Sequence, residues 1–326
     1  MLHRKPSGMK LYKTRGGLRS QSPHTLPSSS GRANRAQRNT SSSDLSSLPG
    51  KMQSPLLVLL LAFFPLPSAE AGEIIGGHEA KPHSRPYMAF LHIQDEEEKS
   101  RCGGVLVGDN FVLTAAHCNG RSITVTLGAH NIKKQEKTQQ KIPVKTAIPH
   151  PDYDKRKTTN DIMLLQAQRH WLTWAPLPLP HQLKRNIKQT DAVKPLPLPR
   201  GKDLPRPGDN CTVAGWGRVT RDGPSSDTLQ EVELTLQKDK KCKDVFNNYN
   251  KNIQLCVGDP KEKKSSFKGD SGGPLLCENK IQGIVSYGPK DGTPPGVYTK
   301  VASFLPWIKE TMKNLQLQES DHLLWS

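Results

Sequence analysis

The sequence predicts an all-β barrel or sandwich ending in one helix, and three features predict it. From Ile74 onward the chain is a succession of short β-like runs with turn residues between them. Their regular spacing excludes βαβ units. One helical signal stands near the C-terminus.

In chain order the expected strands are Met88–Ile93, Gly104–Val107, Phe111–Thr114, Ile123–Leu127 and Asp161–Leu165. Thr212–Gly215, Leu229–Leu236, Pro274–Cys277, Ile281–Ser286 and Gly296–Lys300 follow. The expected helix is capped by Ser303 and runs to about Leu315, leaving 316–326 as a tail. Pro306 is tolerated in its first turn, and Leu305, Ile308 and Met312 lie near one face.

What precedes Ile74 reads as leader. Leu56 to Phe64 is an apolar run of nine residues, followed by Ala69-Glu70-Ala71. A bilayer span needs roughly 20 residues, so no transmembrane segment is expected here. The pattern is a signal peptide over 52–71 with small residues at the cleavage site. Gly72-Glu73 then form a two-residue spacer before Ile74. Residues 1–51 are a basic, Ser-rich extension without apolar periodicity, which would not fold alone; Met52 is the natural start on this reading.

The 326 residues suffice for a sizeable core, although only 34% are hydrophobic. Net charge is +17, and since residues 1–73 hold ten Lys/Arg against three Asp/Glu, +10 belongs to the folded part. This excess favours anionic partners such as a sulfated proteoglycan. Specific nucleic-acid reading is not expected, because no zinc-finger spacing, RNP motif or basic helix is present.

Six cysteines lie at 102, 118, 211, 242, 256 and 277, with no CxxC pair to suggest a structural zinc. Behind a secretory signal they suggest three disulfides, with 15 pairings open from sequence alone. No metal or cofactor is expected: the Lys/Gln-rich loop over 128–145 lacks the clustered carboxylates of a calcium loop. Asn210-Cys211-Thr212 matches an N-glycosylation sequon, although Cys211 is expected to bond early. His170 to Gln182 alternates Leu and Pro with two Trp and has neither strand nor helix period. It reads as a translated splice-acceptor tract in preference to a Pro-rich ligand loop.

Three segments carry chemistry: Leu113-Thr114-Ala115-Ala116-His117-Cys118, Asn160-Asp161-Ile162-Met163-Leu164-Leu165 and Gly269-Asp270-Ser271-Gly272-Gly273-Pro274. A serine hydroxyl needs a neighbouring base to become a nucleophile. His117 supplies an imidazole suited to neutral pH. Asp161 would orient that imidazole and stabilise its protonated form. Ser271 sits among glycines that let a substrate carbonyl approach. The N–H groups of Gly269 and Ser271 would form an oxyanion hole, worth on the order of 3–4 kcal/mol per donor. Singly these signals are weak; together, in the order His, Asp, Ser, they point to acyl transfer.

With Ile74-Ile75-Gly76-Gly77 in front, these motifs resemble the chymotrypsin-like (S1) serine proteases from Ile74 to about Leu315. Gly76 to Met88 and Ser265 to Ser271 are similar to the granzyme, mast-cell chymase and cathepsin G branch, most of all to granzymes B and H. The resemblance implies a double six-stranded antiparallel β-barrel with the cleft between the barrels. It implies pairings Cys102–Cys118, Cys211–Cys277 and Cys242–Cys256, with Phe267 where many S1 enzymes have a further cysteine. It implies a secreted, granule-stored endopeptidase acting on proteins, with serpin-type inhibitors. It also implies activation by a dipeptidyl peptidase that removes Gly72-Glu73, after which the Ile74 amine pairs with Asp270.

For specificity, the resemblance puts Ser265 at the pocket base, where a tryptic enzyme has Asp. Gly296 stands where granzyme B has Arg, so no fixed cation awaits a substrate carboxylate. Ser265, Ser266, Phe267, Gly288 and Gly296 then frame a neutral, open pocket for Phe, Tyr, Leu or Met. Ser286-Tyr287-Gly288 offers an extended edge for substrate, and Lys268 favours an acidic residue further from the scissile bond. The competing reading is a catalytically impaired basic protein that binds glycans or microbial surfaces on a protease scaffold.

Overall fold

A computed structural model describes residues 74–96, 98–167, 187–200 and 204–324. The expected extension over 1–51, the signal peptide over 52–71, Gly72-Glu73 and the insert over 170–182 lie outside the described residues.

The first barrel closes from six strands: β2 (Met88–Gln94), β3 (Lys99–Leu106), β4 (Phe111–Thr114), β5 (Ser122–Leu127), β6 (Gln140–Pro149) and β7 (Met163–Ala167). A short strand β1 (His78–Glu79) precedes them. The barrel order is β2-β3-β4-β7-β6-β5, antiparallel at each pairing. Strands β4 and β7 are buried at every position, so they read as continuous apolar runs instead of alternating ones. Leu91, Phe111, Leu113, Leu127 and Leu164 fill the interior. Closure removes the edges that would otherwise invite pairing with another chain.

The second half contains β8 (Asn210–Gly215), β9 (Gln230–Thr235), β10 (Gln254–Val257), β11 (Pro274–Cys277), β12 (Lys280–Tyr287) and β13 (Gly296–Lys300). Their order is β9-β8-β11-β12-β13-β10, with β1 added outside β9. The two ends of that six-stranded row meet, for Gln237 N–H donates to Cys256 O (2.7 Å) and Gly258 N–H to Thr235 O (2.9 Å). Ile74, Val213, Val232, Leu255, Leu275 and Tyr298 pack inside. A short helix α1 (Asp239–Val245) carries Cys242 against Cys256.

The C-terminal helix α2 (Leu305–Leu324) follows a 3-10 turn over Val301–Phe304. Leu305 and Ile308 are buried, as their spacing on one face requires. Ser303 is not its cap: it lies in the 3-10 turn, and its hydroxyl donates across to Asn252 O (2.7 Å). The helix also continues beyond Leu315, where Gln166 Nε2 donates to Glu319 Oε1 (3.0 Å) and holds its far end on β7.

The barrels touch through backbone. Gly103 N–H donates to Ser271 O (2.7 Å), and a Cβ on Gly103 would stand 3.0 Å from Gly273 Cα. Only glycine lets two chains approach that closely. This seam positions the site.

Candidate active site

After β4 the chain turns through Ala115 into a 3-10 turn over Ala116–Cys118, which presents His117. The disulfide Cys102–Cys118 ties this turn to β3. Asp161 was expected to begin a strand, but β7 starts only at Met163. The reason is a tight turn: Asn160 adopts φ +54°, and Ile162 N–H donates to Asn160 O (2.9 Å).

That turn buries Asp161 to 1% exposure and aims it at His117. Asp161 Oδ1 accepts the His117 backbone N–H (2.9 Å), and Oδ2 lies 2.8 Å from His117 Nδ1. The Ser286 hydroxyl donates to the same Oδ2 (2.5 Å), and Thr299 Oγ1 donates to Asp161 O (2.7 Å). Burial alone would push this carboxyl up. The hydrogen bond and charge of His117, with the Ser286 hydroxyl, outweigh it and hold Asp161 below its ordinary value.

Ser271 reaches this pair from the second barrel. Its carbonyl accepts from Gly103 and lies 3.7 Å from Cys118 Sγ, one residue from His117. Its hydroxyl makes no hydrogen bond to the His117 ring among the described residues. The surrounding turn has a clear pattern: Asp270, Gly272 and Gly273 N–H donate to Phe267 O, Val285 O and Asp270 O (3.0, 2.9 and 2.9 Å). Those of Gly269 and Ser271 have no acceptor among the described residues. Gly269 sits at φ +102° and Gly272 at φ +78°, where a Cβ on Gly272 would stand 2.1 Å from Thr114 Oγ1. The three glycines are therefore required by backbone geometry and by the seam.

Asp270 is fully enclosed, accepting only backbone N–H groups: Gly217 onto Oδ1 and Phe267 onto Oδ2, both 2.9 Å. Burial pushes its carboxyl up to about 7 against the lowering effect of those two bonds. Gly215 and Gly217 press on it, since a Cβ on either would lie within 2.5 Å of its side chain. Ile74 is buried in the same half of the molecule.

Ser265, Ser266, Phe267, Lys268, Ser286, Tyr287, Gly288 and Gly296 all line one cavity of about 240 Å³ that also includes Ser271. Ser265 is buried, and its hydroxyl donates to Ser266 O (2.8 Å). Ser266 Oγ lies 2.6 Å from the buried Tyr298 hydroxyl. A Cβ on Gly288 would meet Gly296 Cα at 3.7 Å, and one on Gly296 would meet Tyr298 Cε2 at 3.4 Å, both ordinary contacts. Among the described residues, the one trio of metal-ligating side chains close enough to share an ion is Cys102, His117 and Cys118, whose two sulfurs are bonded to each other. The remaining disulfides are Cys211–Cys277 and Cys242–Cys256.

Residues 74–308 match the Trypsin family. The chain belongs to that family. It is 58% identical to human granzyme B and 58% identical to human granzyme H, each alignment covering 79% of this chain and 98% of the relative. Human cathepsin G is 54% identical over 80% of this chain and 96% of that protein. A solved structure described as GrC superposes with TM-score 0.67 at 55% identity, covering 74% of this chain and 100% of that one. The chain is thus a chymotrypsin-like serine endopeptidase of the granzyme branch, acting on protein substrates. Its three disulfides suit a protein that matures in an oxidising, secretory compartment. Among the described residues no helix is long and apolar enough to cross a membrane.

Two features of the site escaped sequence reasoning. Ser286 was read as part of a substrate-binding edge, yet its hydroxyl is a ligand of Asp161, 125 residues away. Gly215 and Gly217 enclose Asp270 from a strand end with no motif of its own. Only contacts distant in sequence reveal either.

Proposed function

We propose that Ser271 attacks the scissile carbonyl, that His117 takes its proton and returns it to the leaving amine, and that Asp161 fixes and stabilises the imidazole. The observation that carries this reading is the His117–Asp161 pair at 2.8 Å with Ser271 beside it at the seam. The Ser271–His117 bond forms with substrate bound, as catalytic contacts are often long or poorly aligned in free enzymes. Gly269 and Ser271 N–H, unpaired among the described residues, receive the oxyanion.

Activation follows from Asp270. Removing Gly72-Glu73 by a dipeptidyl peptidase frees the Ile74 amine, which pairs with the buried carboxyl and orders Gly269. A buried charge pair is stable only with both partners, so trimming acts as a switch.

The pocket takes Phe, Tyr, Leu or Met. Ser265, Ser266, Phe267, Gly288 and Gly296 in its lining are uncharged, and its two cations, Lys268 and Lys290, are both exposed; Lys268 favours an acidic residue further along the substrate. The enzyme is stored in cytolytic granules on anionic proteoglycan, is controlled by serpin-type inhibitors and serves immune defence; its relatives and the +10 charge from Ile74 onward support this. A fluorogenic peptide panel on trimmed enzyme tests the pocket. Phe, Tyr, Leu and Met should lead, and a preference for Asp or Arg would reject the reading.

A further inference from the structure

Asn210-Cys211-Thr212 is the single Asn-X-Ser/Thr sequence from Ile74 onward. The chemistry of the site leaves it unused. Its weakness as a glycan acceptor is the middle cysteine, because a sequon locked in a disulfide cannot enter a transferase. The structure removes that objection in time. Cys211 bonds Cys277, with a sequence separation of 66, against 16 for Cys102–Cys118 and 14 for Cys242–Cys256. During synthesis Cys211 therefore waits for 66 more residues before its partner is made. At roughly 5–20 residues per second that is a window of several seconds.

Folded geometry agrees. Asn210 opens β8 and is exposed, as are the residues from Arg206 to Asp209 before it. Its Oδ1 accepts from Thr235 Oγ1 (3.2 Å), while its Nδ2 has no acceptor among the described residues. Arg206 and Asp209 line a cavity of about 250 Å³ beside it, so no described residue packs over that neighbouring surface. None of these residues lines the substrate pocket.

We infer that Asn210 is an N-glycosylation site, modified while Cys211 is still a free thiol. Asn210 Nδ2 loses a proton and bonds to the anomeric carbon of an oligosaccharide carried on a lipid diphosphate. The bond from that carbon to phosphate breaks, and the lipid diphosphate leaves. This rests on the reading of a secreted product, but not on the pocket or the triad.

The full chain expressed in secretory animal cells, beside a glycoprotein of known occupancy, provides the test. Peptide N-glycosidase F should reduce the mass of the wild type and leave Asp at position 210. Asn210→Gln and Thr212→Ala should lose that shift, and Asn210→Gln should keep wild-type peptidase activity. In pulse-labelled chains, where secretion and folding are not required, Cys277→Ser should complete any partial occupancy by keeping Cys211 unpaired. An unmodified Asn210 in secreted protein, with the control fully occupied, overturns the inference. Where wild-type occupancy is partial, a Cys277→Ser chain that gains none also overturns it, for then the disulfide is not what limits modification. Failure of secretion with modification in the pulse would instead count against the secreted reading alone.

Discussion

Two carboxylates, Asp161 and Asp270, are buried to the same degree and behave oppositely. Asp161 is held below its ordinary value, whereas Asp270 is pushed up to about 7. Burial opposes ionisation at both. The difference is the company. Asp161 has an imidazole and a hydroxyl as well as a backbone N–H; Asp270 has two backbone N–H groups and, among the described residues, no cation. On the proposed function, the first carboxylate serves catalysis and the second waits for the Ile74 amine.

The sharpest way to break that contrast is to remove the ionised partner. Asp161→Asn should keep the fold but lower kcat by about 10⁴-fold, because the imidazole loses its orienting acceptor. Steady-state kinetics on trimmed enzyme check this, and a loss under tenfold would mean that Asp161 only supports structure.

Asp270 gives a smaller, thermodynamic effect of a stated sign. In the untrimmed chain the unfolded carboxyl ionises near its ordinary value and the folded one at about 7. Between those values the unfolded state holds fewer protons, so stability is full below pH 4 and falls as pH rises to 7, by roughly 4 kcal/mol. Asp161 works the other way: its contribution is present at neutral pH and lost as pH falls below the ordinary carboxylate range. Urea unfolding across pH should show the Asp270 decline in untrimmed protein. Asp270→Asn, or a freed Ile74 amine, should abolish it.

The mildest change is Ser286→Ala, which removes one donor from Asp161. A hydrogen bond to a charged group is worth about 1.5–3 kcal/mol, so kcat/KM should drop roughly 10- to 100-fold. The acid limb of the pH profile should also move upward, which loss of packing alone would not produce.

Much of this molecule was legible because apolar runs and glycine-rich turns are local signals. Phe111–Thr114, Pro274–Cys277 and Gly296–Lys300 have the same bounds as expected from sequence. Three strands escaped. Gln140–Pro149 alternates in exposure, but Pro143, Lys141 and Lys145 disguise it as a loop. Gln254–Val257 is four residues long and buried on both faces, so it has no alternation to detect. His78–Glu79 is two residues long and exists only by pairing with β9. Helix α1 buries only Cys242, too little to show a period. The site motifs stood out because His117, Asp161 and Ser271 each sit in a distinctive short sequence. The hydroxyl of Ser286 and the glycine walls around Asp270 act across the fold, and no local pattern encodes them.

The most direct measurement is covalent labelling of Ser271 by a serine-directed phosphonate, before and after the chain is trimmed to Ile74, with the site read by peptide mass spectrometry. Rapid labelling of Ser271 is expected in the trimmed protein alone, a result that also excludes a catalytically impaired scaffold. Equal labelling of untrimmed chain would refute the waiting carboxylate, and an inert Ser271 in folded, trimmed protein would contradict the whole assignment.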